Sequence, residues 1–109
     1  MEPRIVQLKG EEKYQRLLGG IPDTSGMKSG YMTLQPGESV GEHSTGSKEE
    51  AIVILQGKGE ISFEGKGAIA LEEKTLVYVP PEITHDVKNT GAELLRYIYV
   101  VAPVSHKHE

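Results

Sequence analysis

Short apolar stretches alternate with turn residues along most of the chain. The stretches are rich in Val, Ile, Thr and Tyr, which pack well on the pleated surface of a sheet. Most of them are bounded by Gly, Pro, Asn or Ser, the residues that favour tight turns. The pattern predicts strands at residues 5–8, 31–35, 50–55, 60–63, 68–71, 75–79, 86–87 and 94–101. Many short strands separated by such turns favour an all-β sandwich or barrel.

The N-terminal part of the chain has a different pattern. Residues 11–18 predict a short helix, because two glycines that are typical of a helix end follow them. Residues 19–30 then indicate a loop. A length of 109 residues corresponds to a single domain. We expect an N-terminal strand and loop in residues 1–30, a barrel in residues 31–103 and a polar tail in residues 104–109.

Composition narrows the classes of function. The 12 basic and 16 acidic residues give a net charge of −4, so we expect no nucleic-acid partner. The absence of cysteine excludes disulfides, thiolate metal sites and cysteine nucleophiles. The N-terminus lacks the apolar stretch of a secretory signal, and the longest apolar run, residues 97–102, is too short to span a bilayer. We therefore expect a soluble, cytoplasmic protein with no membrane partner.

Without cysteine, a metal site must use histidine and carboxylate side chains. The four histidines are His43 and His85 in the globular part and His106 and His108 in the tail. A short polar loop separates His43 from Glu50, and this spacing fits a strand, a turn and a return strand with both side chains on one face. His85 follows a rigid Pro-Pro corner and begins another strand. Each of these residues taken alone also fits a structural, hydrogen-bonded role.

The spacing of these residues resembles the first motif of the cupin family. That motif has a glycine, five residues, His-x-His, three or four residues, a glutamate, six residues and a second glycine. The matching positions here are Gly37, His43, Glu50 and Gly57, and every spacing fits. Thr45 stands where the family has its second histidine.

A second stretch resembles the second cupin motif, which has Gly, five residues, Pro-x-Gly, two residues, His, three residues and Asn. Pro80, His85 and Asn89 keep this spacing. Lys74 and Glu82 occupy the two glycine positions. The resemblance covers residues 31–103 and implies a double-stranded β-helix, or jelly-roll barrel, with at most one short N-terminal helix.

The resemblance also implies a ligand set for a metal ion in the mouth of the barrel. Carried over position by position, His43 and His85 are imidazole ligands and Glu50 is the carboxylate ligand. Such a set suits a divalent transition metal, namely Fe, Mn, Ni, Cu or Zn, and leaves coordination positions open for a substrate.

Thr45 leaves three interpretations open. The site holds a metal with three ligands and Thr45 beside it, or another group such as Glu49, Glu42 or a tail imidazole completes it. In the third interpretation the metal is lost and the pocket binds an organic ligand directly. The first is favoured, because a pocket without a metal has little reason to keep a carboxylate and two imidazoles away from water. Glu49 is expected to point away from Glu50, since adjacent strand residues face opposite sides.

Strand parity predicts the rest of the pocket. If Glu50 points inward, Ile52 does too, and Tyr97 and Tyr99 share one face of the last strand. We expect Thr45, Ile52, Tyr97 and Tyr99 to line the pocket or to surround the ligands. Both faces of the last strand are apolar, so either the chain ends or a partner must cover the outer face. Small cupins are often dimers packed through an outer sheet, and we expect a homodimer rather than a monomer covered by an N-terminal strand.

Two classes of function follow from the resemblance. The first is a metal-dependent enzyme, dioxygenase-like or isomerase-like, that acts on a small oxygen-rich metabolite in the barrel mouth. No second set of residues supplies an obvious general base, so no catalytic residue is assigned. The alternative is a non-catalytic module that binds a sugar or small metabolite, and a structural or storage cupin is a third interpretation.

Overall fold

The computed structural model describes residues 1–105, which contain eight strands and no helix. The strands are β1 (Tyr14–Gly19), β2 (Lys28–Leu34), β3 (Glu49–Gln56), β4 (Gly59–Phe63), β5 (Gly67–Leu71), β6 (Thr75–Val79), β7 (His85–Lys88) and β8 (Leu95–Ala102). They form a five-stranded sheet in the order β1-β2-β8-β3-β6 and a three-stranded sheet in the order β5-β4-β7. All strand pairs are antiparallel. The predicted all-β fold is therefore confirmed. Among the described residues, no helix has the length and apolar character that crossing a membrane requires.

The core lies between the inner faces of the two sheets. Along β3 the inward positions Glu50, Ile52 and Ile54 are buried, while Ala51 and Val53 on the other face are only half-buried. This alternation confirms the parity predicted for β3, because successive strand side chains point to opposite faces. Ten buried side chains make up the central cluster: Met32, Leu34, Ile52, Ile54, Ile61, Leu71, Val79, Val87, Leu95 and Tyr97.

The N-terminal predictions were wrong in three places. Residues 28–30, which were expected to belong to a loop, form the start of β2. Residues 11–18 do not form a helix, since β1 begins at Tyr14 and pairs antiparallel with β2. Helix propensity is a weak preference, and pairing with a sheet edge outweighs it here. Residues 5–8 do not form a strand, and the Ile5 side chain is 98% exposed. The position beside β2 is already taken by β1, which forms the edge of the large sheet.

Two residues of the second motif adopt a backbone conformation that usually requires glycine. Lys74 and Glu82, which occupy the motif's glycine positions, both have φ of 65°. A side chain in this left-handed region brings its Cβ close to the following carbonyl oxygen, which costs about 1–2 kcal/mol. The sequence comparison and the backbone geometry therefore identify the same two strained positions.

Lys74→Gly and Glu82→Gly are each expected to raise the free energy of unfolding by about 0.5–1 kcal/mol, because relief of the strain exceeds the added entropy of the unfolded chain. Urea denaturation measures the effect. Lys58→Gly is the matched control, since Lys58 is exposed and is not among the residues with positive φ. This control should lower stability, and glycine variants no more stable than the parent would contradict the strain argument.

Candidate metal centre

The two globular histidines are brought together by backbone pairing. The segment 39–43 runs antiparallel to β7, with isolated bridges at Ser39–Lys88 and His43–His85. The His43 and His85 amides each donate to the other residue's carbonyl oxygen, at 2.9 and 2.8 Å. Side chains of such a directly opposed pair lie on the same face, and the two ring centroids are 4.4 Å apart.

This pairing corrects one detail of the sequence prediction. The segment before His43 does not form a hairpin with the strand that carries Glu50. It extends the small sheet beside β7, and the loop that follows crosses to β3 in the large sheet. His43 and Glu50 therefore belong to opposite walls of the barrel, and their side chains approach from both sides.

Glu50 brings a carboxylate to the two imidazoles from the large sheet. It is buried on the inner face of β3, and its Oε1 atom lies 2.8 Å from Nε2 of His85. One ligand atom from each of the three residues lies within 4.8 Å of the others. Metal–ligand bonds of about 2.0–2.2 Å require slightly shorter separations. A small movement of His43, whose side chain solvent reaches, would bring the three ligand atoms close enough to bind one ion.

Both imidazole rings are held in the same tautomer by the backbone. Nδ1 of His43 lies 2.9 Å from the carbonyl oxygen of Gly41, and Nδ1 of His85 lies 2.9 Å from that of Ile83. Each Nδ1–H therefore donates to the carbonyl two residues earlier. This arrangement fixes the ring orientation and leaves Nε2 available, as metal-ligating histidines commonly require.

The carboxylate changes the proton affinity of its partner. The hydrogen bond that His85 donates to Glu50 raises the pKa of His85, and burial opposes this effect only in part. In the protein without a bound ion, the 2.8 Å contact between Nε2 of His85 and the Glu50 carboxylate favours a proton on Nε2. An ion binding at this point must displace that proton, so binding should weaken as the pH falls.

The raised pKa of His85 predicts how the stability of the chelator-treated protein depends on pH. A folded-state pKa above the unfolded value, about 6.5 for histidine, adds stability that is complete below about pH 6.5. That stability is lost as the pH rises through the folded-state pKa, so the urea midpoint should fall as the pH rises above about 6.5. Glu50→Gln removes the charged partner and should flatten this slope; an equal slope in both proteins would contradict the pairing.

A cavity of about 360 Å³ opens beside these three residues. All four residues predicted to line the pocket are in its wall: Thr45, Ile52, Tyr97 and Tyr99. Burial, and to a smaller degree the Glu50 charge, raises the pKa of Tyr97, so this phenol stays neutral around pH 7. Met32, Val40, Val87 and Val101 make much of the remaining wall apolar, a lining typical of small-molecule sites.

Several side chains were candidates to replace the second histidine of the first motif, and they lie in different parts of the structure. Thr45 donates its hydroxyl proton to the carbonyl oxygen of Lys48 at 2.9 Å and so closes a turn. Glu42 lies in the cavity wall. Glu49 lies on the outer face of β3 and accepts a hydrogen bond from the Tyr78 hydroxyl at 2.8 Å, so its carboxylate is directed away. His106 and His108 lie outside the described residues.

Sequence reasoning missed several residues of the cavity wall. Tyr14 lies in the segment that was expected to be helical, and its hydroxyl accepts a hydrogen bond from Tyr99 at 3.2 Å. Met32 and Val40 also line the cavity. Parity on β2 could have identified Met32, because it shares the inner face with Leu34.

Comparison with known proteins places this arrangement in a family. The profile of the Cupin domain family matches residues 30–101, more than half of the chain. A curated relative, the polyketide synthase CurC of Streptomyces cyaneus, is 29% identical over 115 residues, covering 98% of this chain and 74% of that protein.

Solved structures agree with the family match. A cupin protein from Bacteroides fragilis is 18% identical and has a TM-score of 0.77, covering 100% of this chain and 92% of that one. A predicted oxalate decarboxylase from Thermotoga maritima is 21% identical and has a TM-score of 0.69, covering 92% of this chain and 100% of that one. The chain belongs to the cupin family, and its fold is the double-stranded β-helix.

Proposed function

We propose that this protein is a metal-dependent enzyme that acts on a small oxygen-rich metabolite in the barrel cavity. His43, Glu50 and His85 hold the ion. The observation that carries the proposal is the tautomer of the two histidines, in which both Nδ1–H groups are bound to backbone carbonyls. Two oriented imidazoles beside a buried carboxylate form a donor set that binds divalent metals.

The residues present fit such an ion in charge and in number. Two neutral imidazoles and one carboxylate suit Fe, Mn, Ni, Cu or Zn, and three protein ligands leave positions open. When bound, the ion supplies Lewis acidity or redox chemistry of the dioxygenase or isomerase type. The Glu50 carboxylate offsets part of its charge, and the apolar part of the wall contacts the hydrocarbon part of the substrate.

The names of two similar proteins agree with a chelating substrate. A polyketide carries oxygens on alternate carbons of its chain, and oxalate carries them on adjacent carbons, so either can offer two oxygens to one ion. The relative from Streptomyces cyaneus is described as a polyketide synthase and the structure from Thermotoga maritima as a predicted oxalate decarboxylase. A cavity of about 360 Å³ lies within the range for small-molecule sites.

Metal content tests this proposal. Protein purified without added metal should contain about one transition-metal ion per chain, and chelator-treated protein should take up one of Fe, Mn, Ni, Cu or Zn. The loaded protein should consume a 1,3-dicarbonyl compound that the chelated protein leaves unchanged. A protein that neither contains nor takes up any of these metals would contradict the proposal.

A second candidate is a non-catalytic module that binds a small metabolite without a metal. The observation that favours it is the hydrogen bond between His85 and Glu50, which satisfies both buried groups without an ion. This candidate predicts that ligand affinity is unchanged by a chelator and by His43→Ala. The enzyme proposal predicts that both treatments weaken ligand binding.

We also propose that two copies associate through the outer face of the large sheet. The apolar side chains Val53, Ile98 and Val100 remain half-buried there, and Leu55 and Leu76 are exposed. The N-terminal segment covers only another part of this face, where Arg96 donates to the carbonyl oxygen of Gly10. An uncovered apolar surface of this kind is typical of an interface between subunits.

Sedimentation should therefore give twice the mass of one chain. Ile98→Glu places a charge within the proposed interface and should shift the protein to a monomer, with the β-sheet circular dichroism retained. Ile69→Glu is the matched control, because Ile69 is 57% exposed on the small sheet. A monomeric parent protein, or a dimer that Ile98→Glu leaves intact, would contradict this interface.

A further inference from the structure

Two tyrosines form a hydrogen-bonded pair in the wall of the cavity. Tyr14 of β1 and Tyr99 of β8 have nearly parallel rings, with centroids 6.5 Å apart and planes inclined by 13°. The Tyr99 hydroxyl donates to the Tyr14 hydroxyl at 3.2 Å. Because the Tyr99 hydroxyl donates this hydrogen bond, the Tyr14 hydroxyl can donate its own proton to another acceptor.

A glycine between the two strands makes room for this pair. Gly30 of β2 is paired with Tyr99, and Tyr14 lies diagonally across on the next strand. A Cβ atom on Gly30 would lie 2.5 Å from Tyr14 Cε1 and 2.6 Å from Tyr99 Cε2. The φ of Gly30 is not in the left-handed region, so the backbone there would accept another residue. Space for the two rings is what requires glycine at this position.

The charges around the cavity restrict what can enter it. None of the residues that line the cavity, all within the described part of the chain, is lysine or arginine. The wall has two carboxylates, those of Glu42 and Glu50. With no lysine or arginine to pair with, and with the His85 ring already bonded to Glu50, an anionic ligand would lose hydration and would meet these negative charges. The wall therefore disfavours carboxylic acids and phosphates as ligands of the metal-free protein.

Polyhydroxylated ligands are disfavoured for a different reason. The wall contains no Asn, Gln or Ser, and among its polar side chains the Thr45 hydroxyl is already bonded to Lys48 and the Glu50 carboxylate to His85. A sugar that leaves water needs a partner for each hydroxyl, and a hydroxyl without one costs about 1–3 kcal/mol. A mainly apolar ligand with one or two acceptor oxygens has no such requirement.

We propose that the Tyr14–Tyr99 pair is an oxygen-binding subsite that selects neutral, largely apolar dicarbonyl or phenolic ligands over carboxylates and sugars. The Tyr14 hydroxyl donates to a ligand oxygen, and the aliphatic wall contacts the hydrocarbon part. The chemistry done on the ligand rests on the proposed function, whereas selection by the tyrosines does not need the metal. Burial, followed by the hydrogen bond with Tyr14, raises the pKa of Tyr99, so its phenol remains a neutral donor.

Calorimetric titration of chelator-treated protein tests the subsite. The probes are 1-phenyl-1,3-butanedione, oxalate and D-glucose, each titrated at pH 7. The diketone is expected to bind at least about ten times more tightly than the other two, a difference of about 1.4 kcal/mol. Tyr14→Phe and Tyr99→Phe keep the rings but remove one hydroxyl each, and each should weaken diketone binding about 2–10-fold.

The matched control is Tyr78→Phe, which removes a hydroxyl on the outer face that is bonded to Glu49. It should leave diketone affinity unchanged, while Gly30→Ala, which displaces both rings, should lower it. Three results would overturn the proposal. The diketone fails to bind, or oxalate or glucose binds as tightly as the diketone does. The third is that both cavity Tyr→Phe variants bind the diketone with the affinity of the parent.

A zinc titration of the same proteins separates this inference from the proposed function. Tyr99→Phe should bind zinc as the parent does, because Tyr99 is not one of the three proposed ligands. Diketone selectivity in a protein that takes up none of Fe, Mn, Ni, Cu or Zn would leave the subsite in place and refute the metal enzyme. Zinc binding without tyrosine-dependent selectivity would refute the subsite alone.

Discussion

Replacing His43 by alanine is expected to weaken zinc binding at least about 100-fold, with little change in the stability of the metal-free protein. Loss of an outer partner of a metal ligand already weakens binding about 10–100-fold, and loss of a ligand should exceed that. Solvent reaches His43, and its ring makes one hydrogen bond, to the carbonyl oxygen of Gly41. Competition against a chromophoric chelator measures the zinc affinity, and urea denaturation measures the stability.

Two further variants test whether the tail imidazoles and residue 45 affect zinc binding. The double variant His106→Ala with His108→Ala removes the tail imidazoles and should leave zinc affinity unchanged, because the three proposed ligands remain. Thr45→His places an imidazole where the first motif has its second histidine, and it should tighten zinc binding about 10-fold or more. Thr45→Val is its control, since it also loses the hydrogen bond to Lys48 without adding a ligand.

Two results would contradict this assignment of the metal ligands. If His43→Ala binds zinc like the parent, His43 is not a ligand. If the tail variant loses binding instead, the tail holds the metal. His85→Ala is less informative, because it also breaks the buried hydrogen bond with Glu50 and should destabilise the fold.

Asn89→Ala is expected to lower the free energy of unfolding by about 2–4 kcal/mol without removing any proposed metal ligand. The Asn89 side chain has no solvent exposure, and its amide donates to the carbonyl oxygens of Leu34 at 2.9 Å and Glu93 at 2.8 Å. Its carbonyl oxygen accepts from the Gly91 amide at 2.9 Å. Each buried group left without a partner costs about 1–3 kcal/mol.

These contacts explain why the second motif includes an asparagine that is not a ligand. Asn89 follows β7 of the small sheet, while Leu34 ends β2 of the large sheet, so its side chain joins the two walls of the barrel. Asn89→Asp should be more destabilising than Asn89→Ala, because a carboxylate cannot donate to two carbonyl oxygens. Thr90→Ala is the control and should change stability by less than about 0.5 kcal/mol, since Thr90 is exposed. An Asn89→Ala effect of that size would contradict the role assigned to Asn89.

The sequence predicted the strands of the barrel well, because burial of one face of a strand makes buried and less buried residues alternate along it. Glu50, Ile52 and Ile54 alternate with less buried residues on β3, and seven of the predicted strands overlap strands of the structure. The motif spacing also identified the residues that the fold brings together, namely His43, Glu50 and His85. Local pattern was sufficient for the strands, since each depends on one segment, whereas the three candidate ligands came from the motif spacing of the family.

Features set by distant pairing could not be predicted in this way. Tyr14 is followed by residues compatible with a helix, and the free edge of β2 decides that they form a strand. The pairing of His43 with His85, rather than with the strand of Glu50, depends on which sheet the segment joins. Gly30 acquires its role only through contacts with Tyr14 and Tyr99, which no local pattern contains.

The most direct test of the metal centre is a crystal structure of the zinc-loaded protein with diffraction data collected on both sides of the zinc absorption edge. One strong anomalous peak is expected at about 2.0–2.2 Å from Nε2 of His43, from Nε2 of His85 and from a carboxylate oxygen of Glu50. The peak should be absent in crystals of His43→Ala grown under the same conditions. A loaded crystal with no peak in the cavity, or with its peak elsewhere, would show that these three residues do not hold the ion.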